Sequence, residues 1–237
     1  KYLNKIIILL YYFMELFMNN KYYNHYNFYE IDKEPNFNLE NLTLIKHFKT
    51  KQQETEETCG PCCALMVLQH LFPNDADFKH LNESKIAKLM NTRPFPLGTK
   101  FKDVVNFFKM INHNNKFDII SSIDYPHDKN GLSFTNFESF RDFIINYLKL
   151  DCPIIIENVD YGDHYKIIIG YDKLSENGDE DILIFADPYD DNDGLNDGYN
   201  YFPASRFYYM WFDDHCIEPE YRKQPFIIIK KKINNLL

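Results

Sequence analysis

Basic residues are too few in this sequence for general nucleic-acid binding. The 26 lysine and arginine residues are outnumbered by 35 aspartate and glutamate residues, and the formal net charge is −9. Nucleic acids and anionic membrane surfaces attract proteins with the opposite charge balance. The composition therefore argues against both as general partners of the chain.

Cysteine is also scarce, and its number is odd. Three of the five cysteines, Cys59, Cys62 and Cys63, lie within one stretch of five residues, too close together to join distant parts of a fold. A disulfide framework uses an even set of spaced cysteines, so we predict a reducing compartment and a cytoplasmic location. No second cysteine pair stands at the spacing of a zinc site.

A calcium loop is incomplete as well. Residues 190–194 read Asp-Asp-Asn-Asp-Gly, but Tyr189 stands where such a loop needs its first acidic ligand, and Asn200 stands where it needs the closing glutamate. A solvated acidic turn is the better interpretation. The sequence predicts neither a metal nor any other cofactor.

The apolar run near the N-terminus is too short to span a bilayer. It covers residues 6–13 and is followed by Glu15, whereas a spanning helix needs about 20 apolar residues. Lys1 and Lys5 precede the run as in a signal peptide, but no small-residue cleavage site follows. We predict that residues 1–41 form a poorly ordered extension. A core segment, a signal and a membrane anchor stay open as interpretations of the run, and the last two imply a secreted or anchored protein.

The remaining residues, 42–232, are predicted to form one domain. With 45% apolar and 17% aromatic residues, the chain can bury a substantial core. Apolar residues at helical spacing dominate the first half, and short apolar runs between turn residues dominate the second half. This order indicates an α+β fold. The predicted helices cover residues 59–73, 84–91, 99–111, 134–150 and 205–212, and the predicted strands cover 42–48, 117–123, 153–159, 164–171, 181–186 and 225–230.

A candidate nucleophile lies where a polar segment meets the first strong helix. Thr58 can cap this helix, Pro61 suits its first turn, and Cys59 then lies at its positive end. The helix dipole and unpaired backbone N–H groups favour the reactive thiolate. Gln53, six residues earlier, can donate its amide to an oxyanion near Cys59, and Gln52 is the neighbouring alternative.

A base and its orienting partner are predicted from the second half. His164 opens an apolar strand, and Asp187 ends the next one, in front of Pro188. If the two strands pair, Asp187 can accept a hydrogen bond from the ring of His164. A cysteine nucleophile needs such a base and such an orienting group.

The order of these residues resembles the papain clan of cysteine peptidases. It is most similar to the bacteriocin-processing, C-thirty-nine-like family, over roughly residues 45–230. The resemblance implies a papain-like fold, in which a helical half carries the cysteine and an antiparallel sheet half carries the histidine and the aspartate. It also implies that Gln53, Cys59, His164 and Asp187 are the oxyanion glutamine, the nucleophile, the base and the orienting carboxylate.

Two features of the sequence depart from the family pattern. The family usually has small residues where Cys62 and Cys63 stand. The transporter and ATPase segments of bacteriocin exporters are also missing, so a leader-peptide substrate is not implied.

The sequence therefore predicts a cysteine peptidase or related hydrolase that acts on a peptide or protein through a thioester, and it predicts no oligomeric state. A thiol acyltransferase of the same fold and a non-catalytic papain-like binding domain stay open as alternatives. Cys59-Gly60-Pro61-Cys62 is also the redox motif of thioredoxins. In that fold an apolar strand leads into the motif, whereas residues 51–58 are almost wholly polar.

Overall fold

One antiparallel sheet of seven strands, with helices packed against it, forms the fold in this computed structural model, which describes residues 41–158, 163–190, 196–211 and 223–232. The strands and helices follow one another along the chain as β1 Leu42–Leu44, α1 Cys59–Leu71, α2 Glu83–Leu89, α3 Phe101–Ile111, β2 Phe117–Ser121, α4 Phe137–Leu148, β3 Ile154–Asn158, β4 His164–Asp172, β5 Ile182–Ala186, β6 Tyr199–Pro203, α5 Ala204–Met210 and β7 Phe226–Lys231.

The strand order places β4 in the middle of the sheet. The order is β2-β7-β3-β4-β5-β6, every pairing is antiparallel, and β1 pairs with the far end of β4. Runs of isoleucine explain this position, because β-branched side chains favour strands and pack well on both faces of a covered sheet. In β3, β4 and β7 these isoleucines are fully buried.

Helix α1 is almost completely enclosed. Eleven of its thirteen residues are buried, so it is a core helix without a polar face. Gly60 permits its close approach to β4: a Cβ atom there would lie 3.3 Å from the ring of Tyr165 and 3.4 Å from Cβ of Thr99. The first turn of α1 therefore lies directly against the start of β4.

The other long helices bury one face each, with small departures from the faces that the apolar spacing of the sequence predicts. These predicted faces are Phe101, Val104, Val105, Phe108 and Ile111 in α3, and Phe137, Phe140, Ile144, Ile145 and Leu148 in α4. In α3, Phe107 is buried in addition to the predicted residues, while Ile111 is only partly covered. In α4, Phe143 is buried and Ile145 is partly exposed. Both differences are rotations of the buried face by about one residue, which neighbouring apolar side chains permit.

The α+β class and its division into a helical half and an antiparallel sheet half are confirmed. Three details differ from the sequence prediction. The first strand, predicted over residues 42–48, ends at Leu44, because the chain turns at residues 46 and 47. Strand β6 was missed, because its residues Tyr199–Pro203 precede an aromatic segment and show no apolar alternation. Thr58 occupies the N-cap position of α1 but makes no side-chain cap hydrogen bond. Its hydroxyl is turned instead toward two acceptors, Glu83 and the carbonyl of Thr55, and donates to one of them at a time.

Some predictions fall on other parts of the chain. Residues 1–40 of the predicted extension and residues 191–195, which include most of the calcium-like segment, lie outside the described residues. Within the described ranges, no helix combines the length and the apolar character that a bilayer crossing requires.

Candidate active site

Cys59 is the first residue of α1 and lies against the first residues of β4. Its thiol is hydrogen-bonded to the ring of His164 and accepts hydrogen bonds from the backbone N–H groups of Gly60 and Tyr165. The residue is only 7% exposed. The helix start and the strand start thus bring together two side chains that are 105 positions apart in the sequence.

His164 connects Cys59 to Asp187. Its Nε2 donates to Oδ1 of Asp187 at 2.6 Å, which leaves Nδ1 as the ring nitrogen that faces Cys59. The backbone N–H of Tyr189 donates to the same carboxylate oxygen at 2.9 Å, and Asp187 is completely buried. The structure therefore joins three of the four predicted site residues in one hydrogen-bonded chain.

These contacts shift the pKa values of Cys59, His164 and Asp187 in the directions that favour their charged forms. Burial alone raises the pKa of the Cys59 thiol, but the hydrogen bond and charge of His164 outweigh it and hold the pKa below its ordinary value. Burial likewise opposes protonation of His164, but the hydrogen bonds to Asp187 and Cys59 raise its pKa to about 9. The pKa of Asp187 is held low against its burial, first by the hydrogen bond from His164. A thiolate beside an imidazolium is the state that these shifts favour at neutral pH.

Gln53 lies in the loop that leads to Cys59, and its backbone connects this loop to the Asp187 region. Its N–H donates to the carbonyl of Pro188 at 2.8 Å. Its side-chain Nε2 donates to the carbonyls of Thr55 at 2.8 Å and Glu56 at 3.0 Å. Both amide hydrogens are thus used within the loop, so donation to an oxyanion requires the exchange of one of these bonds.

Gln52, the alternative glutamine, points elsewhere. Its Oε1 accepts a hydrogen bond from the backbone N–H of Asp190 at 3.4 Å, in the turn that follows Asp187. The side chain of Gln53 instead bonds two carbonyls within the loop before Cys59. Of the two glutamines, Gln53 is therefore the one whose side chain lies in this loop.

A buried carboxylate that sequence analysis missed holds this loop in place. Glu83, the first residue of α2, is completely buried. Its Oε1 accepts from the backbone N–H of Glu54 at 2.6 Å and from the hydroxyl of Thr58 at 2.5 Å, and its Oε2 accepts from Nζ of Lys51 at 2.6 Å. In the sequence it resembles any acidic residue in a first helical turn, and no local signal distinguishes it.

The second missed residue is Lys166, whose Nζ lies 2.9 Å from Oδ2 of Asp187. This side chain is nearly buried, in a strand that is otherwise apolar except at its ends. The sequence signal that could have indicated it is a lysine inside an apolar strand. A buried ammonium requires an opposite charge, so such a lysine predicts a carboxylate nearby.

The other cysteines near the site differ from Cys59 in their environment. Burial raises the pKa values of the Cys62 and Cys63 thiols, so both stay protonated. The thiol of Cys62 donates to the carbonyl of Lys51, and that of Cys63 donates to the carbonyl of Tyr165, each at 3.4 Å. Residues 45–58 form no strand, so the strand that leads into a thioredoxin motif is missing here.

The arrangement of possible metal ligands can be checked for the described residues. In the part of the chain that the structure describes, no group of three or more His, Cys, Asp and Glu side chains is placed to hold a metal ion. The four described cysteines are free thiols.

Comparisons with known proteins give one family and a distant structural relative. The model of the Peptidase_C39 like family matches residues 45–214. The crystal structure of the peptidase domain of Streptococcus ComA, a bi-functional ABC transporter involved in a quorum-sensing pathway, is similar with a TM-score of 0.48. The two are 18% identical over 78% of this chain and 100% of that domain. A comparison with curated protein sequences finds no match. Because the family model spans well over half of the sequence, including Cys59, His164 and Asp187, the chain belongs to the Peptidase_C39 like family of cysteine peptidases.

Proposed function

We propose that this protein is a peptidase that cleaves peptide bonds through a Cys59–His164–Asp187 triad and a thioester intermediate. The observation that supports the proposal is the buried chain of hydrogen bonds from the Cys59 thiol through His164 to the carboxylate of Asp187. Nucleophile, base and orienting group are the three roles that thiol-based acyl transfer needs.

Acylation begins from the thiolate–imidazolium pair. The Cys59 sulfur attacks the carbonyl carbon of the scissile bond, and the electron pair of the C=O bond moves to its oxygen. When the tetrahedral species collapses, the C–N bond breaks and Nδ1 of His164 gives its proton to the departing amine. The products are a thioester on Cys59, a free amine and a neutral imidazole.

Deacylation uses the same groups in reverse order. The neutral His164 removes a proton from water while the water oxygen attacks the thioester carbonyl. Collapse breaks the C–S bond, releases the carboxylic acid, and restores thiolate and imidazolium. Asp187 holds the ring in the tautomer and orientation that both steps need, since its bond to Nε2 keeps Nδ1 toward the sulfur.

Gln53 is the proposed oxyanion donor, together with the backbone N–H of Cys59. Its amide lies in the loop before α1 and bonds the carbonyls of Thr55 and Glu56. The longer of these two bonds, to Glu56, is the one we expect to be exchanged for the oxyanion as the substrate carbonyl becomes tetrahedral. The donor then acts mainly in the transition state, where it accelerates the reaction.

Alkylation and cleavage together test the assignment. With substoichiometric iodoacetamide at neutral pH, we expect Cys59 to be labelled first and His164→Ala to slow this labelling. Cys62→Ser is the matched control and should leave it unchanged, because the Cys62 thiol is buried and protonated. Cleavage of a random peptide library, followed by mass spectrometry, should be lost in Cys59→Ala.

Two results contradict the proposal. One is library cleavage by Cys59→Ala at the rate of the unsubstituted protein. The other is equal labelling of Cys59 and Cys62 that does not depend on His164, with reduction of a disulfide substrate. The second result is the behaviour of a thioredoxin-type dithiol.

A further inference from the structure

An ammonium group lies in the most buried strand of the sheet, beside the proposed triad. Lys166 is 8% exposed, and its neighbours in β4, Tyr165 and Ile167, are at most 1% exposed. A charge in such surroundings is strongly destabilising unless an opposite charge compensates it. The compensating charge is Asp187, whose Oδ2 lies 2.9 Å from Nζ of Lys166.

A bulge in β4 creates this pairing. Residues 170–172 of β4 pair with β5 in one register, and residues 167 and 168 pair in a register shifted by one, with Ile169 as the additional residue. Without the shift, Ile167 would face the position of Asp187. With it, Ile167 pairs with Ala186, so the next position along the ladder places Lys166 opposite Asp187. Bulges of this kind redirect side chains next to functional sites.

The same alternation brings His164 to this face. Residues two apart in a strand point to the same side, so His164 and Lys166 both reach the carboxylate of Asp187. Oδ1 accepts from Nε2 of His164 and from the N–H of Tyr189, while Oδ2 faces the ammonium as an ion contact without hydrogen-bond alignment. Contacts on both oxygens keep the carboxylate from rotating.

Charge balance gives the lysine a second effect. Thiolate, imidazolium, carboxylate and ammonium sum to zero, whereas Cys59, His164 and Asp187 alone would leave one uncompensated negative charge in a buried site. Other titratable groups that face the cluster are the protonated thiol of Cys63 and the ring of Tyr189. From β3, the residue opposite Lys166 is the apolar Ile156, which contributes no charge.

We infer that Lys166 is a positioning residue of the active site: it fixes the carboxylate of Asp187 in its ionised form, so that this carboxylate holds His164 toward Cys59. The inference rests on the proposed function of the triad. Lys166 itself touches no reacting atom, and its effect on kcat passes through Asp187.

Kinetics of Lys166→Met test this role, because methionine keeps the unbranched length of the side chain and removes the charge. We expect kcat for library peptides to fall by about ten- to a hundredfold with KM changed less than twofold, since misorientation of a catalytic group acts on the chemical step. The alkaline limb of kcat/KM should move up by about one pH unit, because a positive charge that opposes the imidazolium has been removed. Lys166→Arg, which keeps the charge, should restore most of kcat.

A matched control separates this role from the loss of any lysine–aspartate pair. Lys116 forms ion pairs of 2.6 Å with Asp75 and 2.7 Å with Asp77. It precedes β2, which is separated from β4 by β7 and β3. Lys116→Met should leave kcat and the pH profile unchanged.

A double-substitution cycle keeps the test decisive even where Lys166→Met weakens folding. Lys166→Met combined with Asp187→Asn removes both charges, so no unpaired buried charge remains. In the Asp187→Asn background, adding Lys166→Met should not lower kcat further, because the lysine acts only through the carboxylate. An equal loss of kcat in both backgrounds overturns the inference.

The inference and the proposed function fail in different ways. If Lys166→Met keeps the kcat and the pH profile of the unsubstituted protein while Cys59→Ala and His164→Ala are inactive, the positioning role is wrong and the triad stands. If Cys59→Ala remains active, the proposed function is wrong, and the inference fails with it.

Discussion

Replacement of Glu83 by glutamine tests whether one buried carboxylate holds the loop that leads to Cys59. The substitution keeps the shape of the side chain and an oxygen for the N–H of Glu54 and the hydroxyl of Thr58. It places an amide NH₂ against Nζ of Lys51, where Oε2 now accepts at 2.6 Å. Two donors then face each other in place of a charge-assisted hydrogen bond.

The expected size of the effect follows from these contacts. A hydrogen bond to a charged group contributes about 1.5–3 kcal/mol. The Lys51 side chain is 32% exposed, so solvent screening reduces this to about 1–2 kcal/mol in Glu83→Gln. Glu83→Ala also leaves the N–H of Glu54 without its acceptor, whereas the hydroxyl of Thr58 can still donate to the carbonyl of Thr55, and we expect about 3–5 kcal/mol there. For a chain of this length, about 2–4 °C of Tm corresponds to each kcal/mol, which gives decreases of about 2–8 °C and 6–20 °C.

Thermal unfolding followed by circular dichroism measures both values, and the alkylation rate of Cys59 reports on the loop itself. Glu138→Gln is the matched control, because Glu138 is also an acidic residue in a first helical turn. Unlike Glu83, it has an exposed side chain (78%), and its ion pair with Arg141 is long, at 3.9 Å. We expect no change in Tm for this control. If Glu83→Gln and Glu138→Gln unfold at the same temperature and alkylate at the same rate, the reasoning about Glu83 is refuted.

Two further predictions concern the chemistry. Below about pH 9 His164 is an imidazolium that can protonate the leaving amine, and above this pH the ring loses that proton. We therefore expect kcat/KM for cleavage to fall above about pH 9. Alkylation of Cys59 needs only the thiolate, so its rate should not fall. Asp187→Asn should move this alkaline limb to lower pH, and an unmoved limb contradicts the assignment. Gln53→Ala should lower kcat by roughly a hundredfold or more, the usual scale for one oxyanion donor, with little change in Tm, and Gln52→Ala should be mild; the reverse order of the two effects assigns the oxyanion role to Gln52.

The parts of the site that sequence analysis predicted are those with a local physical cause. A polar segment followed by an apolar helical pattern placed Cys59 at a helix N-terminus, and the structure has α1 begin at that residue. Apolar runs bounded by turn residues placed His164 at the start of one strand and Asp187 after the next. Because consecutive strands with a short connection pair antiparallel, these two side chains could be expected to meet, and their atoms are 2.6 Å apart.

The missed parts depend on distant residues. Glu83 is buried because α2 packs beside the loop 51–58, and nothing in its own neighbours in sequence indicates this. Strand β6 pairs with β5 over its whole length. Its own residues show no apolar alternation, so only the hydrogen bonds to β5 identify it as a strand. The side-chain direction of Gln53 depends on the turn that its own loop makes.

The sequence by itself determined the fold class, the order of helices and strands, and the three residues Cys59, His164 and Asp187 that the fold joins. These follow from residue type and periodicity, which act over a few neighbouring positions. Only the tertiary structure decided which groups surround them. The bulge at Ile169 shifts the register between β4 and β5 by one residue. The alternation of residues along the strand does not reveal this shift. The shift places the charge of Lys166 opposite Asp187, where the unshifted register would place an isoleucine.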